Sequence, residues 1–140
     1  KVERVEPAGE LPFEAFDRVL VDAPCSGLGT IRRDPDIRWR RQPAELAPLA
    51  AAQLALLDRA SAVVKPGGRL VYATCSSEPD ENDAVVDRFV ASHPEYARAD
   101  LRNDGVAALA PVLDHRGMLR TLPFAHGLEA FFAAALVRRS

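Results

Sequence analysis

The chain has 140 residues, 48% of them apolar, 27% charged and 6% aromatic, with a formal net charge of −2. That balance suits one compact domain and excludes a disordered chain, and no run of 18 apolar residues exists to span a membrane. Two cysteines, Cys25 and Cys75, exclude a disulfide scaffold, and with three scattered histidines they give no metal-ligand spacing, so a reducing cytoplasm is the expected compartment.

Residues 1–16 are polar and broken by Pro7, Gly9 and Pro12, which predicts a lead-in loop. Charge in Lys1-Val2-Glu3-Arg4-Val5-Glu6 argues against a secretory signal. Asp17–Asp22 is a short apolar run after a polar entry, expected to be a strand buried on both faces of a parallel sheet. Ala23-Pro24-Cys25-Ser26-Gly27-Leu28-Gly29-Thr30 follows as a loop of small residues that lets other groups approach closely. Residues 31–42 carry Arg32, Arg33, Arg38, Arg40 and Arg41, and Pro35 forbids a regular helix through them. A local positive face of this kind can bind phosphates even on a slightly acidic protein.

Leu46, Leu49, Leu54, Leu57, Ala60 and Val64 recur at helical spacing, predicting a helix from about residue 45 to 64. Lys65-Pro66-Gly67-Gly68 turns the chain into a second strand, Arg69–Thr74, which ends at Cys75. Ser77 and Asp80 have capping-box spacing and predict the start of a helix with Val85, Val86, Phe89 and Val90 inward and a stop at His93-Pro94. Asp80, Glu81 and Asp83 read as charges favouring that helix's N-terminal dipole. Residues 96–101 suggest a short strand and 103–117 an irregular stretch. Met118–Leu122 and Ala130–Val137 form a last strand pair around Pro123–Gly127. No internal repeat is evident.

This order implies an α/β layered sheet, whose ligands sit at the carboxyl ends of parallel strands. Both cysteines follow such ends, so two thiols 50 residues apart in sequence are expected to face one cleft. A cysteine taken singly is most often a small buried hydrophobe. Trp39 is either core or a stacking platform for an unpaired base, and the arginine run either a solvated loop held by Asp34 and Asp36 or an RNA contact. His93, His115 and His126 have no evident partners and read as structural.

Asp22-Ala23-Pro24-Cys25-Ser26-Gly27-Leu28-Gly29-Thr30, continuing through Arg32-Arg33-Asp34-Pro35-Asp36, closely resembles the Pro-Cys motif of the Sun (Fmu) family of RNA cytosine-C5 methyltransferases. Tyr72-Ala73-Thr74-Cys75-Ser76, running into Glu78-Pro79-Asp80-Glu81-Asn82, is similar to the same family's Thr-Cys motif. The bacterial 16S rRNA enzymes are the nearest type. Leu128-Glu129-Ala130 departs from the Asp-Gly usual before the two phenylalanines Phe131 and Phe132. The family's glycine-rich cofactor loop is absent, and Gly27-Leu28-Gly29 does not replace it, because position 32 is arginine.

The resemblance therefore implies the C-terminal half, residues 17–140, of a Rossmann-like S-adenosylmethionine-dependent catalytic domain ending in an antiparallel strand pair. The Asp17–Asp22 strand would be exposed at the cut edge, open to the missing half or to self-association. The resemblance makes Cys75 the nucleophile and Cys25 the residue assisting product release. It places Asp22 against the cofactor's amino-acid end or the target base, and Pro24 on the substrate side; the local charge of the arginine run adds the expectation that Arg32, Arg38 and Arg40 contact RNA. The residues themselves do not choose between the thiols, since DNA cytosine methyltransferases use the Pro-Cys cysteine. A non-catalytic RNA-binding or structural fragment is the competing reading. A thiol redox protein is disfavoured by the lack of a Cys-x-x-Cys pair.

Overall fold

The computed structural model describes residues 12–140, so most of the expected lead-in loop lies outside the described residues. The elements are β1 (Phe16–Asp22), a one-turn helix α1 (Ile37–Arg40), α2 (Leu46–Ser61), β2 (Val64–Thr74) and α3 (Asp83–Ser92). After them come β3 (Tyr96–Arg98), β4 (Leu119–Arg120), the single turn α4 (Pro123–His126) and β5 (Phe132–Arg138). The sheet order is β1-β2-β5-β3, and β4 also pairs with β5. β1 and β2 run parallel and β5 antiparallel to β2, giving a mixed α/β sheet with the expected antiparallel end. Among the described residues no helix is long and apolar enough to cross a membrane.

Side chains on β2 alternate: Leu70, Tyr72 and Thr74 are buried beneath the helices, and Arg69, Val71 and Ala73 are only partly covered. Leu57 of α2, Val85, Val86 and Phe89 of α3, Val21 of β1 and Leu136 of β5 join Leu70 and Tyr72 in one cluster. Continuous burial of a parallel strand needs a layer on each face. Here α2 and α3 cover one face, so β1 alternates instead of being buried on both sides: Val21 is buried, whereas Leu20 is 66% exposed. β1 does lie at the end of the sheet, with β2 as its one neighbour among the described residues.

Several boundaries differ from the sequence reading for local reasons. α2 stops at Ser61, and Val64 already pairs with Phe16. Lys65–Gly68 is then an excursion within the ladder, which resumes at Arg18 opposite Arg69. Gly67 takes φ 76° there, a conformation costly for any residue with a side chain. A 3-10 turn, Pro43–Glu45, leads into α2 and is capped by Gln42, whose N–H donates to Glu45 Oε2 at 2.9 Å. The predicted capping box at Ser77 and Asp80 does not form. α3 begins at Asp83, and the Ser77 hydroxyl donates to its neighbour Glu78 instead.

β3 is three residues long, and residues 101–112 hold two short 3-10 turns. Two of the three histidines, His93 and His126, have structural partners. His93 stacks on Phe89 with centroids 4.1 Å apart, and His126 accepts from the Leu122 N–H and lies 3.0 Å from the Pro111 carbonyl.

Candidate active site

β1 and β2 remain in register to Asp22 opposite Ala73, and the Ala23 N–H still donates to the Ala73 carbonyl at 2.9 Å. Both chains then leave the sheet on the same side. Gly27, at φ 74°, reverses the first loop, so the Gly29 N–H reaches the Cys75 carbonyl at 3.0 Å. The Gly29 carbonyl in turn accepts from the Ala130 N–H at 2.9 Å. Only a residue without a side chain fits between these backbones: a Cβ on Gly29 would lie 2.0 Å from the Ala130 oxygen and 2.7 Å from the Cys75 oxygen.

The result is contact between two thiols. Cys25 Sγ and Cys75 Sγ are 3.0 Å apart, both are half-buried, and both are free. Burial, reinforced by the hydrogen bond with Cys75, pushes the Cys25 thiol up to about 12. Cys25 therefore keeps its proton at neutral pH and can donate it in a hydrogen bond to the neighbouring sulfur. Among the described residues no group of His, Cys, Asp and Glu could hold a metal ion.

Below the thiols lies a carboxylate that the sequence reading placed at a helix end. Glu81 is 0% exposed and precedes α3. Its Oε1 accepts from the Ser26 N–H and from Gln53 Nε2, both at 2.8 Å, and its Oε2 accepts from the hydroxyls of Ser26 and Ser76, both at 2.5 Å. Tyr72 donates to the Glu81 carbonyl at 2.6 Å. Burial, with the Glu81 charge as the second cause, raises the Tyr72 phenol far above its ordinary value. Asn82 joins the same layer, accepting from Thr74 Oγ1 at 2.6 Å and donating to the Ser76 carbonyl at 2.9 Å. Buried polar groups must be paired, and Glu81 and Asn82 are consumed in pairing the cysteine loops, which delays the start of α3. The only sequence signal for this role was the closeness of Glu81 to the Thr-Cys motif.

The other singled-out residues sit around this centre. Asp22 and Pro24 are exposed at the carboxyl end of β1, and the Pro24 carbonyl accepts from Gln53 Nε2 at 2.9 Å. The arginines divide into two groups. Arg32 Nη1 donates to the Gly127 carbonyl at 3.3 Å, and Arg33 lies 3.3 Å from Glu129, so these two tie the segment to the turn before β5. Arg41, absent from the sequence-derived site, donates through Nε to the Ser26 carbonyl at 2.9 Å. Arg40 pairs with Asp36 at 3.3 Å, and Arg38 lies 5.0 Å over the ring of Trp39, which is 74% exposed and not core. A hollow of about 270 Å³ opens beside Ser26, Leu28 and Arg41. A larger one, about 720 Å³, lies at the opposite end of the strands around Asp17 and Gly68, away from both thiols.

The sequence matches the model of the family described as 16S rRNA methyltransferase RsmB/F over residues 3–137. The chain belongs to the RsmB/F family. It is 40% identical over 133 residues to the ribosomal RNA small subunit methyltransferase B of Salmonella arizonae, covering 95% of this chain and 29% of that one. It is 41% identical over 131 residues to the "Probable ribosomal RNA small subunit methyltransferase B" of Synechocystis, covering 94% of this chain and 29% of the relative. The chain thus spans less than a third of the length of these curated relatives.

Among solved structures, a methyltransferase homologue from Pyrococcus horikoshii superposes with TM-score 0.67 at 32% identity, covering 89% of this chain and 39% of that one. NSun6 from the same organism, solved with SFG, gives TM-score 0.71 at 24% identity, covering 86% of this chain and 29% of that one, and so supports the fold. The Rossmann-like methyltransferase sheet expected from the sequence is the observed one.

Proposed function

We propose that this chain is the C-terminal half of the catalytic domain of an S-adenosylmethionine-dependent RNA cytosine-C5 methyltransferase acting on 16S rRNA in the cytoplasm. The observation that carries the reading is the 3.0 Å contact between Cys25 and Cys75 at the ends of two parallel strands. The family match supports the methyltransferase activity. The open edge of β1 would receive the preceding strand of the same domain, and with it the glycine-rich cofactor loop.

Cytosine C5 is a weak nucleophile. In this reading the Cys75 thiolate adds to C6 of a cytosine taken out of its stack, and the S–C6 bond makes C5 enamine-like. S-adenosylmethionine, when bound, supplies the methyl group from its sulfonium. The exposed carboxylate of Asp22 fits the ammonium group at the amino-acid end of that cofactor or the N3–N4 edge of the base. A base then removes the C5 proton, the C5=C6 double bond re-forms, and the S–C6 electrons return to Cys75. Cys25 retains its proton and hydrogen-bonds to the departing sulfur, stabilising it as the thiolate. Pro24 borders the base. Arg32, Arg38 and Arg40 contact phosphates, and Trp39 offers its exposed face to an unpaired base.

The test is covalent trapping in the full-length enzyme. Cys25→Ala should accumulate an RNA–protein adduct stable to denaturation, and Cys75→Ala should form none. An adduct in Cys75→Ala and none in Cys25→Ala would reverse the two roles.

A further inference from the structure

Glu81 is a fully buried carboxylate, and no arginine, lysine or histidine among the described residues forms an ion pair with it. Burying an unpaired charge is costly unless hydrogen bonds replace its water. A carboxylate offers about four acceptor positions. All four are taken, and three of the four bonds come from the residues that directly follow the two cysteines: Ser26 after Cys25 and Ser76 after Cys75. The fourth donor, Gln53 on α2, also holds the Pro24 carbonyl at 2.9 Å, one residue before Cys25.

Glu81 is itself anchored to the sheet through the Tyr72 hydroxyl. The Glu81 side chain is thus the common acceptor for both cysteine loops, and the residue is fixed to a strand through its carbonyl and to a helix through Gln53. An apolar residue would fill the same space at less desolvation cost, but it would leave the residues that follow the two cysteines without a common acceptor anchored in the core.

The geometry points to Glu81 as the positioning residue that holds the Cys25 and Cys75 sulfurs in contact. The functional part of this inference rests on the catalytic reading of the thiol pair given above. The role is geometric and does not depend on the negative charge. In Glu81→Gln, the amide oxygen still accepts from the Ser26 N–H and Gln53. The amide nitrogen has two hydrogens, one for each serine hydroxyl, and both hydroxyls can turn to accept. Glu81→Ala removes all four bonds to the carboxylate and leaves the direct Gly29–Cys75 and Ser26–Ser76 bonds between the loops.

The test uses the full-length enzyme and two readouts. The first is cross-linking of Cys25 to Cys75 by diamide, which takes two electrons and two protons as the disulfide forms and so reports thiol proximity without turnover. The second is methyl transfer to RNA, with kcat and KM separated. Wild type and Glu81→Gln should cross-link at rates within about threefold of each other. Glu81→Ala should cross-link at least about tenfold more slowly and lose kcat about a hundredfold, the scale of a misplacement near 1 Å, with KM for the cofactor little changed. Ser76→Ala removes the Glu81 tether to the Cys75 loop together with the Ser26–Ser76 contact and the acceptor of the Glu78 N–H, and should slow cross-linking by a smaller factor; it decides the matter if Glu81→Ala does not fold.

Wild-type cross-linking in folded Glu81→Ala, or in Ser76→Ala should that variant alone fold, would overturn the proposal. So would Glu81→Gln behaving like Glu81→Ala, since charge and not shape would then be the requirement. Slower cross-linking with unchanged methyl transfer would uphold the positioning role and overturn the catalytic reading of the thiols.

Discussion

Gly29→Ala tests how tightly the cysteine loops are joined. Gly29 does not have a positive φ, so alanine is not penalised by backbone conformation. By itself the change should stabilise the protein by about 0.4–1 kcal/mol, by restricting the unfolded chain. Packing opposes it. The new methyl would sit 2.0 Å from the Ala130 oxygen and 2.7 Å from the Cys75 oxygen. Neither atom is the end of a flexible side chain, so backbone must move. Overpacking of this kind costs about 1–3 kcal/mol, and the case here belongs at the upper end. Separation also weakens the Gly29–Cys75 and Ala130–Gly29 backbone bonds, each worth about 1 kcal/mol. The clash wins, and the net loss should be about 2–3 kcal/mol. Thermal unfolding followed by circular dichroism should show a fall in Tm of about 8 °C. Gly127→Ala is the control. Gly127 has φ 67° and nothing within 4 Å of an added Cβ, so it should lose only about 1 kcal/mol, from its left-handed backbone. An unchanged or higher Tm in Gly29→Ala would refute the close approach of the three backbones.

Tyr72→Phe leaves the Glu81 carbonyl and Gln53 Oε1 without the phenol that bridges them, and should cost about 1–3 kcal/mol in chemical denaturation. Wild-type stability in that variant would show that water or a repacked side chain replaces the hydroxyl. Alkaline pH should destabilise the fold. The Cys25 thiol is raised from 9.0 to about 12 and the Tyr96 phenol from 10.0 to about 12, chiefly by burial in each case. The unfolded chain therefore loses these protons first, and stability should decline as pH rises from 9 towards 12. A urea midpoint that stays flat across that window would contradict the burial of both groups. Charge reversal at Arg38 and Arg40 should weaken RNA binding and flatten its salt dependence, because fewer counterions are released on binding. Filter binding with an unchanged salt slope would remove this turn from the RNA interface.

The strands that end at the cysteines were legible because each is a short apolar run closed by a glycine-rich or small-residue loop. The two long helices were legible from apolar spacing, to within a few residues. The start of α3 was not. Ser77 and Asp80 have the spacing of a cap, but Glu81 and Ser76 bond to Ser26 and Gln53, far away in sequence, and Ser76 rather than Ser77 is drawn into the network. Burial of β1 was misread for a related reason. Hydrophobicity along Asp17–Asp22 does not reveal which face has a helix above it, and Leu20 lies on the open side. The arginine run showed its charge but not its partners, so Arg41, which holds the Ser26 carbonyl, could not be told from Arg40, which faces solvent.

Local order in the sequence decided that two thiols would emerge at neighbouring strand ends, because alternation, turn residues and helix periodicity act over a few residues. It also decided the family, through two motifs of fixed composition. Tertiary structure alone decided that the sulfurs touch and that a single buried carboxylate ties their loops together. Those outcomes depend on contacts between residues 28 to 55 positions apart, such as Gln53–Glu81 and Ser26–Glu81. A buried charge must be satisfied by whatever the folded chain brings within reach, and one-dimensional order does not contain that information.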